Sequence, residues 1–347
     1  MWHGDLDAGR RQNEFARYAE TKEKVEARSA EHGSFVTGSQ FSDFPEIERR
    51  LCFLFSSRDR GTVPLSHSSH SSRTRLVGME MGDFDVAYRA ARAGADVVRA
   101  HSTGPVQRIE KGGADFATDV DIASEKAILD VIRTWRPGDA VCGEESGRTE
   151  VSGAERMWLV DPLCGTLNFA AGIPMYGINV ALIRGDDVVC TVVADLCGDT
   201  PTYLITDGTG AWSQQEGSTE VADLRPSASS RLIEVNMETE DPDEQGFSSS
   251  RFMRSRAFET LSPRFIGTSL PLAWVASGRY AGFVIPGHRQ ASVHFTAGIG
   301  LCRIAGCVLS GLHGEPLHLA NDGIVVAADK TTHELLLAGI AEQFRAN

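Results

Sequence analysis

Three short segments of the chain carry carboxylates at positions where a metal or phosphate site can form. They are residues 115–121 (DFATDVD), 143–146 (GEES) and 158–169 (WLVDPLCGTLNF). Each segment places acids at the end of a predicted strand or the start of a predicted helix, where loops converge on binding sites. Because clustered acids repel one another unless cations lie among them, we expect a Mg²⁺ site. Taken singly, Asp121, Asp161 and Glu144 are also explained as helix caps or a solvated loop acid.

The third segment is the most informative of the three. A short apolar strand that ends at Asp161 can present its carboxylate to a metal, and Pro162 can help turn the carbonyl of Leu163 inward. Gly165 and Thr166 then begin a new element, whose free backbone N–H groups can hold a phosphate. The hydroxyl of Thr166 can orient a water molecule. This segment therefore predicts a metal and phosphate site with a nearby water.

Four motifs, in this order along the chain, resemble those of the inositol monophosphatase family of lithium-sensitive, Mg²⁺-dependent phosphomonoesterases. They are residues 111–121 (KGGADFATDVD), 143–146 (GEES), 161–169 (DPLCGTLNF) and 293–298 (VHFTAG). The family patterns are K-G-x-x-D-x-V-T-x-x-D, G-E-E-S, D-P-[IL]-D-G-T-x-N-F and W-D-x-A-A-G. The resemblance covers about residues 82–345 and implies a layered α/β fold, an αβαβα sandwich of two sub-domains.

The resemblance also implies roles for individual residues. One metal ion is expected to bind Glu144, Asp161 and the carbonyl of Leu163, and Asp121 with Thr166 is expected to activate the attacking water. In the family, residues of the second half of the chain select the leaving alcohol. Ser269 lies where such a segment contributes, although a helix N-cap is the favoured explanation for this serine.

Two positions depart from the family pattern. Cys164 and His294 replace two of the three aspartates that hold a second metal ion in the family. Mg²⁺ prefers oxygen ligands, so its second site is expected to be weakened. Asp161, Cys164 and His294 together would suit Zn²⁺ or another borderline metal. Alternatively the second site is lost, with Cys164 an apolar filler and His294 a hydrogen-bonded core residue. A protonated His294 would be able to act as a general acid toward the leaving oxygen.

These features lead to three functional hypotheses. The first is a metal-dependent phosphatase-like enzyme, acting on a small phosphorylated metabolite such as a polyol, sugar, nucleotide or amino alcohol phosphate. It would use one Mg²⁺, with His294 assisting and with a second metal that is Zn²⁺ or absent. The second is an enzyme repurposed for elimination or cyclisation of a phosphorylated intermediate. The third is a catalytically silent homologue that binds a phosphorylated ligand or a partner subunit.

Composition restricts the partners and the location. The 347 residues carry 34 basic and 47 acidic side chains, a formal net charge of −13, with no basic patch to attract nucleic acid or an anionic membrane. The seven cysteines are odd in number and form no C-x-x-C pair, which favours a reducing cytoplasm. No apolar run approaches the ~20 residues of a membrane span. We expect a small-molecule enzyme in the cytoplasm, and the family resemblance implies a homodimer.

The elements that must position these residues follow from periodicity and from turn residues. The composition of residues 1–78 predicts a largely disordered extension. Residues 79–216 are predicted to form a sub-domain with the metal and phosphate site, and residues 217–347 a second sub-domain that completes the site. The first sub-domain is predicted to contain helices at 82–101 and 121–135, a loop or hairpin near 110–114, strands at 140–143 and 157–161, and an antiparallel meander within 177–213. The second alternates strands at 232–236, 264–266, 281–285, 307–310 and 324–328 with helices at 247–258, 269–277, 292–304 and 332–345.

Overall fold

The computed structural model of the chain describes residues 81–112, 115–236, 247–287, 291–320 and 322–345. All of these residues belong to one compact unit, Val77–Asn347. The predicted extension, 1–78, lies outside the described residues. Within the described ranges, no helix combines the length and the apolar character that crossing a bilayer requires.

Two long helices and a hairpin open the described chain. They are α1 (Asp83–Ala100), β1 (Arg108–Gly112), β2 (Asp115–Thr118) and α2 (Asp119–Trp135). Helix α2 begins with a reciprocal cap, because the Thr118 side chain accepts from the backbone N–H of Asp121 and the Asp121 carboxylate accepts from the backbone N–H of Thr118. The two helices pack closely at Gly94, where a Cβ atom would lie 2.7 Å from Cδ1 of Ile128. A glycine inside α1 is therefore explained by helix packing.

An eight-stranded sheet follows the two helices. Its remaining elements are β3 (Ala140–Gly143), β4 (Gly147–Thr149), β5 (Arg156–Cys164), the short helix α3 (Thr166–Ala170), β6 (Gly177–Arg184), β7 (Asp187–Asp195), β8 (Thr202–Thr206), β9 (Ala211–Gln215) and β10 (Val221–Asp223). The strand order is β10-β9-β8-β7-β6-β5-β3-β4. Neighbouring strands are antiparallel except β3 and β5, which are parallel. The predicted meander is confirmed, and the sheet continues by one strand past the predicted boundary at 216–217.

A second sheet is built from the rest of the chain. The elements are β11 (Leu232–Val235), α4 (Ser249–Phe252), β12 (Ser262–Arg264), α5 (Leu270–Ala276), β13 (Gly282–Pro286), α6 (Thr296–Ala305), β14 (Val308–Ser310), β15 (Gly323–Ala327) and α7 (Lys330–Arg345). The strand order is β12-β11-β13-β15-β14, with β11 parallel to β12 and β13 and the other pairs antiparallel. This mixed sheet agrees with the predicted alternation of strands and helices.

The chain forms five layers, which pack against one another through three apolar cores. The first core joins α1 and α2 to one face of the large sheet and includes Val86, Ile128 and Val180. The second, which includes Leu272 and Leu301, joins the other face to α5, α6 and the second sheet. The third joins the second sheet to α4 and α7. The order helix, sheet, helix, sheet, helix is the predicted αβαβα sandwich.

Two predicted helices differ from the structure. The helix predicted at 247–258 is wrong, because the chain forms only α4 and a 3₁₀ turn at Arg256–Glu259. The backbone of Ser255 between them is extended, with ψ of 161°. The helix predicted at 292–304 begins instead at Thr296. Residues 291–295 therefore form a loop that carries His294.

Candidate active site

The site forms where β5 ends and the chain turns into α3. Strand β5 continues through Cys164, so Asp161 and Leu163 both belong to it and both are buried. Gly165 then adopts a left-handed conformation with φ of 104°, and a Cβ atom there would lie 2.9 Å from the carbonyl oxygen of Met175. Only glycine allows this turn without strain. The turn brings Thr166 back toward the end of β5.

Asp121 and Thr166 form a pair beside this turn. The Oγ1 of Thr166 lies 2.8 Å from Oδ1 of Asp121 and 3.0 Å from the carbonyl oxygen of Leu163. Asp121 is buried at the start of α2, and its other carboxylate oxygen accepts from the backbone and the hydroxyl of Thr118. Burial raises the pKa of Asp121, and the hydrogen bonds from Thr118 and Thr166 oppose the rise. The pair can hold a water molecule through the lone pairs of the threonine hydroxyl.

Glu144 lies in the loop after β3. Its backbone N–H donates to the carbonyl of Val160, and its carboxylate accepts from Nζ of Lys111 at 3.2 Å. Burial and the charge of Asp161 raise the pKa of Glu144 to about 8, although His294 and Lys111 lower it in part. Two carboxylates held close together in a buried position create a demand for a cation.

His294 supplies one positive charge at this position. Its Nδ1 lies 2.8 Å from Oδ2 of Asp161 and 4.0 Å from Oε2 of Glu144. Burial alone would lower the pKa of His294, but the hydrogen bond to Asp161 and the charge of that carboxylate outweigh it and raise the pKa to about 11. The imidazole side chain is 40% exposed. His294 therefore lies at the rim of the site rather than in the core.

Cys164 is buried, and its sulfur has polar neighbours. The backbone N–H of Ser269 donates to Sγ at 3.1 Å, and the Oγ of Ser269 lies 3.0 Å from the same atom. Asn179 donates to Oγ of Ser269 at 2.9 Å and to Oδ2 of Asp161 at 3.3 Å. Burial raises the pKa of the Cys164 thiol, and the charge of Asp161 adds to the rise. The sulfur therefore belongs to a polar network that links it to Asp161.

The donor atoms can be compared with the metals predicted for the site. Carboxylates of Glu144 and Asp161 with the carbonyl of Leu163 form an all-oxygen set of the kind Mg²⁺ prefers, so these residues fit one Mg²⁺ ion. Asp161, Cys164 and His294 offer one oxygen, one sulfur and one nitrogen, all within 4.8 Å of one another. This mixed set does not fit Mg²⁺.

The structure thus brings the predicted site residues to the end of β5. One connected set of contacts joins Asp121, Thr166, Leu163, Asp161, His294 and Glu144. Cys164 joins it through Ser269 and Asn179, which links Ser269 to Asp161. Ser269 does occupy the N-cap position of α5, but its side chain makes no capping hydrogen bond. The N-cap explanation for this side chain is therefore wrong.

Two residues of the site have no place in the sequence interpretation. Glu125 is buried, and its carboxylate accepts the backbone N–H groups of Glu145 and Ser146, both at 2.8 Å. The sequence feature that could have identified Glu125 is its position, one helical turn after Asp121 on the same face of α2. Asn179 could have been identified as a single polar residue inside the apolar run of β6.

An αβαβα sandwich with clustered carboxylates and a Thr–Asp pair at a strand end is typical of metal-dependent phosphatases. Residues 83–345 match the model of the inositol monophosphatase family, and the chain belongs to that family. The family uses a metal ion, typically Mg²⁺, to act on small phosphorylated molecules.

Individual relatives support the assignment. The inositol-1-monophosphatase of Caulobacter vibrioides is 33% identical over 51% of this chain and 69% of its own length. The Nus factor SuhB of Escherichia coli is 30% identical over 75% of this chain and 96% of its own length. Among solved structures, the extragenic suppressor protein SuhB of Bartonella henselae has a TM-score of 0.61 and 26% identity, over 74% of this chain and 97% of that one. An inositol monophosphatase of Thermotoga maritima shares the fold, with a TM-score of 0.58 and 20% identity over 75% of this chain and 98% of that one.

Proposed function

We propose that the chain hydrolyses the phosphate monoester of a small metabolite, a polyol, sugar, nucleotide or amino alcohol phosphate. The observation that carries the proposal is the 2.8 Å contact between Thr166 Oγ1 and the buried carboxylate of Asp121. When the threonine hydroxyl donates to Asp121, its lone pairs are free to accept a proton of the attacking water. Such a pair favours hydrolysis over ligand binding alone, because a protein that only binds a ligand does not need to activate a water molecule.

The other residues have complementary roles in this proposal. Glu144, Asp161 and the Leu163 carbonyl hold a Mg²⁺ ion, which would supply Lewis acidity toward the phosphate and its attacking water. The backbone N–H groups of Gly165 and Thr166 hold the phosphate. Ser269 lies on the side of the site formed by the second half of the chain, where it contacts the leaving alcohol.

The leaving oxygen needs a proton or a cation when its bond to phosphorus breaks. His294 is the positively charged side chain beside Asp161, and its ring is 40% exposed on the open side of the site, where the leaving oxygen would lie. We assign His294 to the leaving-group side of the site. Replacement of two carboxylates by Cys164 and His294 also favours the two alternatives, a non-hydrolytic step on a phosphorylated intermediate and a silent ligand-binding protein.

The setting of this activity is also a proposal. The six cysteines in the described part of the chain are free thiols, which supports a reducing cytoplasm. The net charge of −13 supports a small-molecule substrate rather than nucleic acid. The name Nus factor describes the Escherichia coli relative, and we do not extend that role to this chain. We propose a homodimer on the family resemblance.

Phosphate release over a panel of phosphate monoesters, with Mg²⁺ and the full chain, tests the proposal. We expect release from at least one monoester, which falls to background in Asp121→Asn and in His294→Asn. The exposed Asp130→Asn variant on α2 is the matched control and should keep the parent rate. A product mass without phosphate release would identify the repurposed enzyme, and thermal stabilisation by a monoester without turnover would identify a binder. Either result overturns the hydrolase.

A further inference from the structure

The three side chains Asp161, Cys164 and His294 converge at the rim of the site. Their ligand atoms lie within 4.8 Å of one another, and no other group of three such side chains in the described residues does so. Asp161 and Cys164 are buried, while His294 lies on the loop before α6 with its ring half open to solvent. One buried carboxylate, one buried thiol and one accessible imidazole are the ligand types of a catalytic zinc site, which keeps its fourth position open.

The surroundings of these ligands are arranged to accept a metal ion. The backbone N–H of Ser269 donates to Sγ of Cys164, and the Ser269 hydroxyl lies 3.0 Å from the same sulfur, so the sulfur has two polar partners. Asn179 donates to Asp161 and to Ser269, which holds the carboxylate and the serine in place. Such outer partners orient metal ligands and tune the ion. A sulfur that only filled an apolar space would need none of them.

From this geometry we infer that Asp161, Cys164 and His294 form a site for a borderline divalent cation of the zinc type, distinct in chemistry from the Mg²⁺ position at Glu144 and Leu163. Thiolate and imidazole ligands select such ions over Mg²⁺. On binding, Cys164 and the protonated His294 each give up one proton to solvent, and the sulfur–metal and nitrogen–metal bonds form in their place. Asp161 is shared between the two positions.

Binding requires a small movement of one ligand. Two atoms bonded to one tetrahedral zinc at about 2.0–2.1 Å lie roughly 3.3 Å apart, whereas Nδ1 of His294 and Oδ2 of Asp161 are 2.8 Å apart. The imidazole must therefore withdraw by about 0.5 Å. Residues 291–295 carry no helix or strand, so this loop allows the shift. The bound ion would then take over from the imidazole at the leaving-group side.

Cobalt(II) reports the ligands directly, because thiolate ligation gives a near-ultraviolet charge-transfer band that oxygen and nitrogen ligation do not. The full chain is titrated with Co²⁺ and then with Zn²⁺ as competitor. We expect the band in the parent, its displacement by Zn²⁺ and not by Mg²⁺, and its loss in Cys164→Ser. The band should persist in the matched control Cys307→Ser. This variant removes a half-buried thiol that lies close to the thiol of Cys302, away from the proposed site.

Two further variants complete the test. Zn²⁺ affinity should fall about 10–100-fold in Ser269→Ala, which removes an outer partner, and by more in His294→Asn, which removes a ligand and does not disturb the core. A cobalt complex without the band, or a band that survives in Cys164→Ser, would overturn the inference. The inference shares with the proposed function only the location of the pocket. Because its readout is metal binding and not turnover, a chain without phosphatase activity that shows the band would refute the hydrolase and leave this site standing.

Discussion

The imidazole Nδ1 of His294 lies 2.8 Å from Oδ2 of Asp161, a carboxylate with no exposed surface. A protein side chain thus supplies a positive charge to this buried carboxylate. The arrangement explains how the chain keeps Asp161 in place although two neighbouring acids of the family pattern are replaced by Cys164 and His294. It also makes the metal dependence of the site sensitive to these two positions.

Restoring the two carboxylates should return the site to Mg²⁺. We expect the double variant Cys164→Asp/His294→Asp to gain Mg²⁺-dependent phosphate release over the parent, because an all-oxygen ligand set suits this ion. The measurement is the initial rate of release at increasing Mg²⁺ concentration. Each single variant should release phosphate more slowly than the pair, since either leaves one soft ligand in place. An unchanged Mg²⁺ response in a folded double variant would contradict this prediction.

Glu125 should matter for metal affinity without touching the metal. Its carboxylate accepts the backbone N–H groups of Glu145 and Ser146 and so holds the loop that carries Glu144. We expect Glu125→Gln, which can pair with at most one of these groups through its carbonyl oxygen, to weaken Mg²⁺ binding about 10–100-fold, as loss of an outer partner does. Isothermal calorimetry with Mg²⁺ measures the effect.

The matched control for this prediction is Glu155→Gln, outside the site. It should bind Mg²⁺ like the parent. Equal affinity of Glu125→Gln and the parent would mean that the loop keeps its position without this carboxylate. Gly143→Ala provides an independent check, because its Cβ atom would lie 2.6 Å from the Glu125 carboxyl and should displace it.

The hydroxyl of Thr166 should be required for turnover and not for folding. We expect Thr166→Val to lower kcat about 10²–10⁴-fold, the usual contribution of a positioned proton-transfer pair. Thr166→Ser keeps the hydroxyl and should retain most of the rate. Because Thr166 and Asp121 act together, adding Asp121→Asn to Thr166→Val should cost little more. A double variant whose loss equals the product of the single losses would show that the two residues act independently.

The motifs predicted which residues meet at the site because each motif lies at the end of a strand or the start of a helix. Asp121, Glu144 and Asp161 are far apart in sequence, yet α2, β3 and β5 are neighbours in the fold. Glu125 and Asn179 were not predicted, since their roles depend on tertiary contacts with a loop and with Ser269. Capping preference suggested an N-cap at Ser269, but the proximity of Cys164 gave its side chain a different partner.

Element types were easier to predict than element ends. Apolar periodicity identified α1 and α2, and the antiparallel meander within 177–213 was predicted as such. The helix predicted at 247–258 failed because Phe252 and Ala257 are buried from two separate short turns and not from one continuous helix. Extended backbone at Ser255 separates these turns, and the sequence contains no proline or glycine there to signal the break.

Stability should fall in mild acid because of a histidine outside the site. His333 is buried in α7, with Nε2 2.8 Å from Oγ of Ser310, and burial lowers its pKa from 6.5 although the charge of Glu334 opposes the shift. The unfolded chain then binds a proton at a higher pH than the folded chain. Stability attributable to His333 is therefore complete above about pH 6.5 and decreases as the pH falls toward the lowered pKa of the folded chain.

We expect the Tm of the parent to fall more than that of His333→Gln between about pH 7.5 and pH 5.5. Differential scanning calorimetry measures both slopes, with the exposed His101→Gln as the control that should follow the parent. Parallel slopes for the parent and His333→Gln would show that this histidine has the same proton affinity in both states.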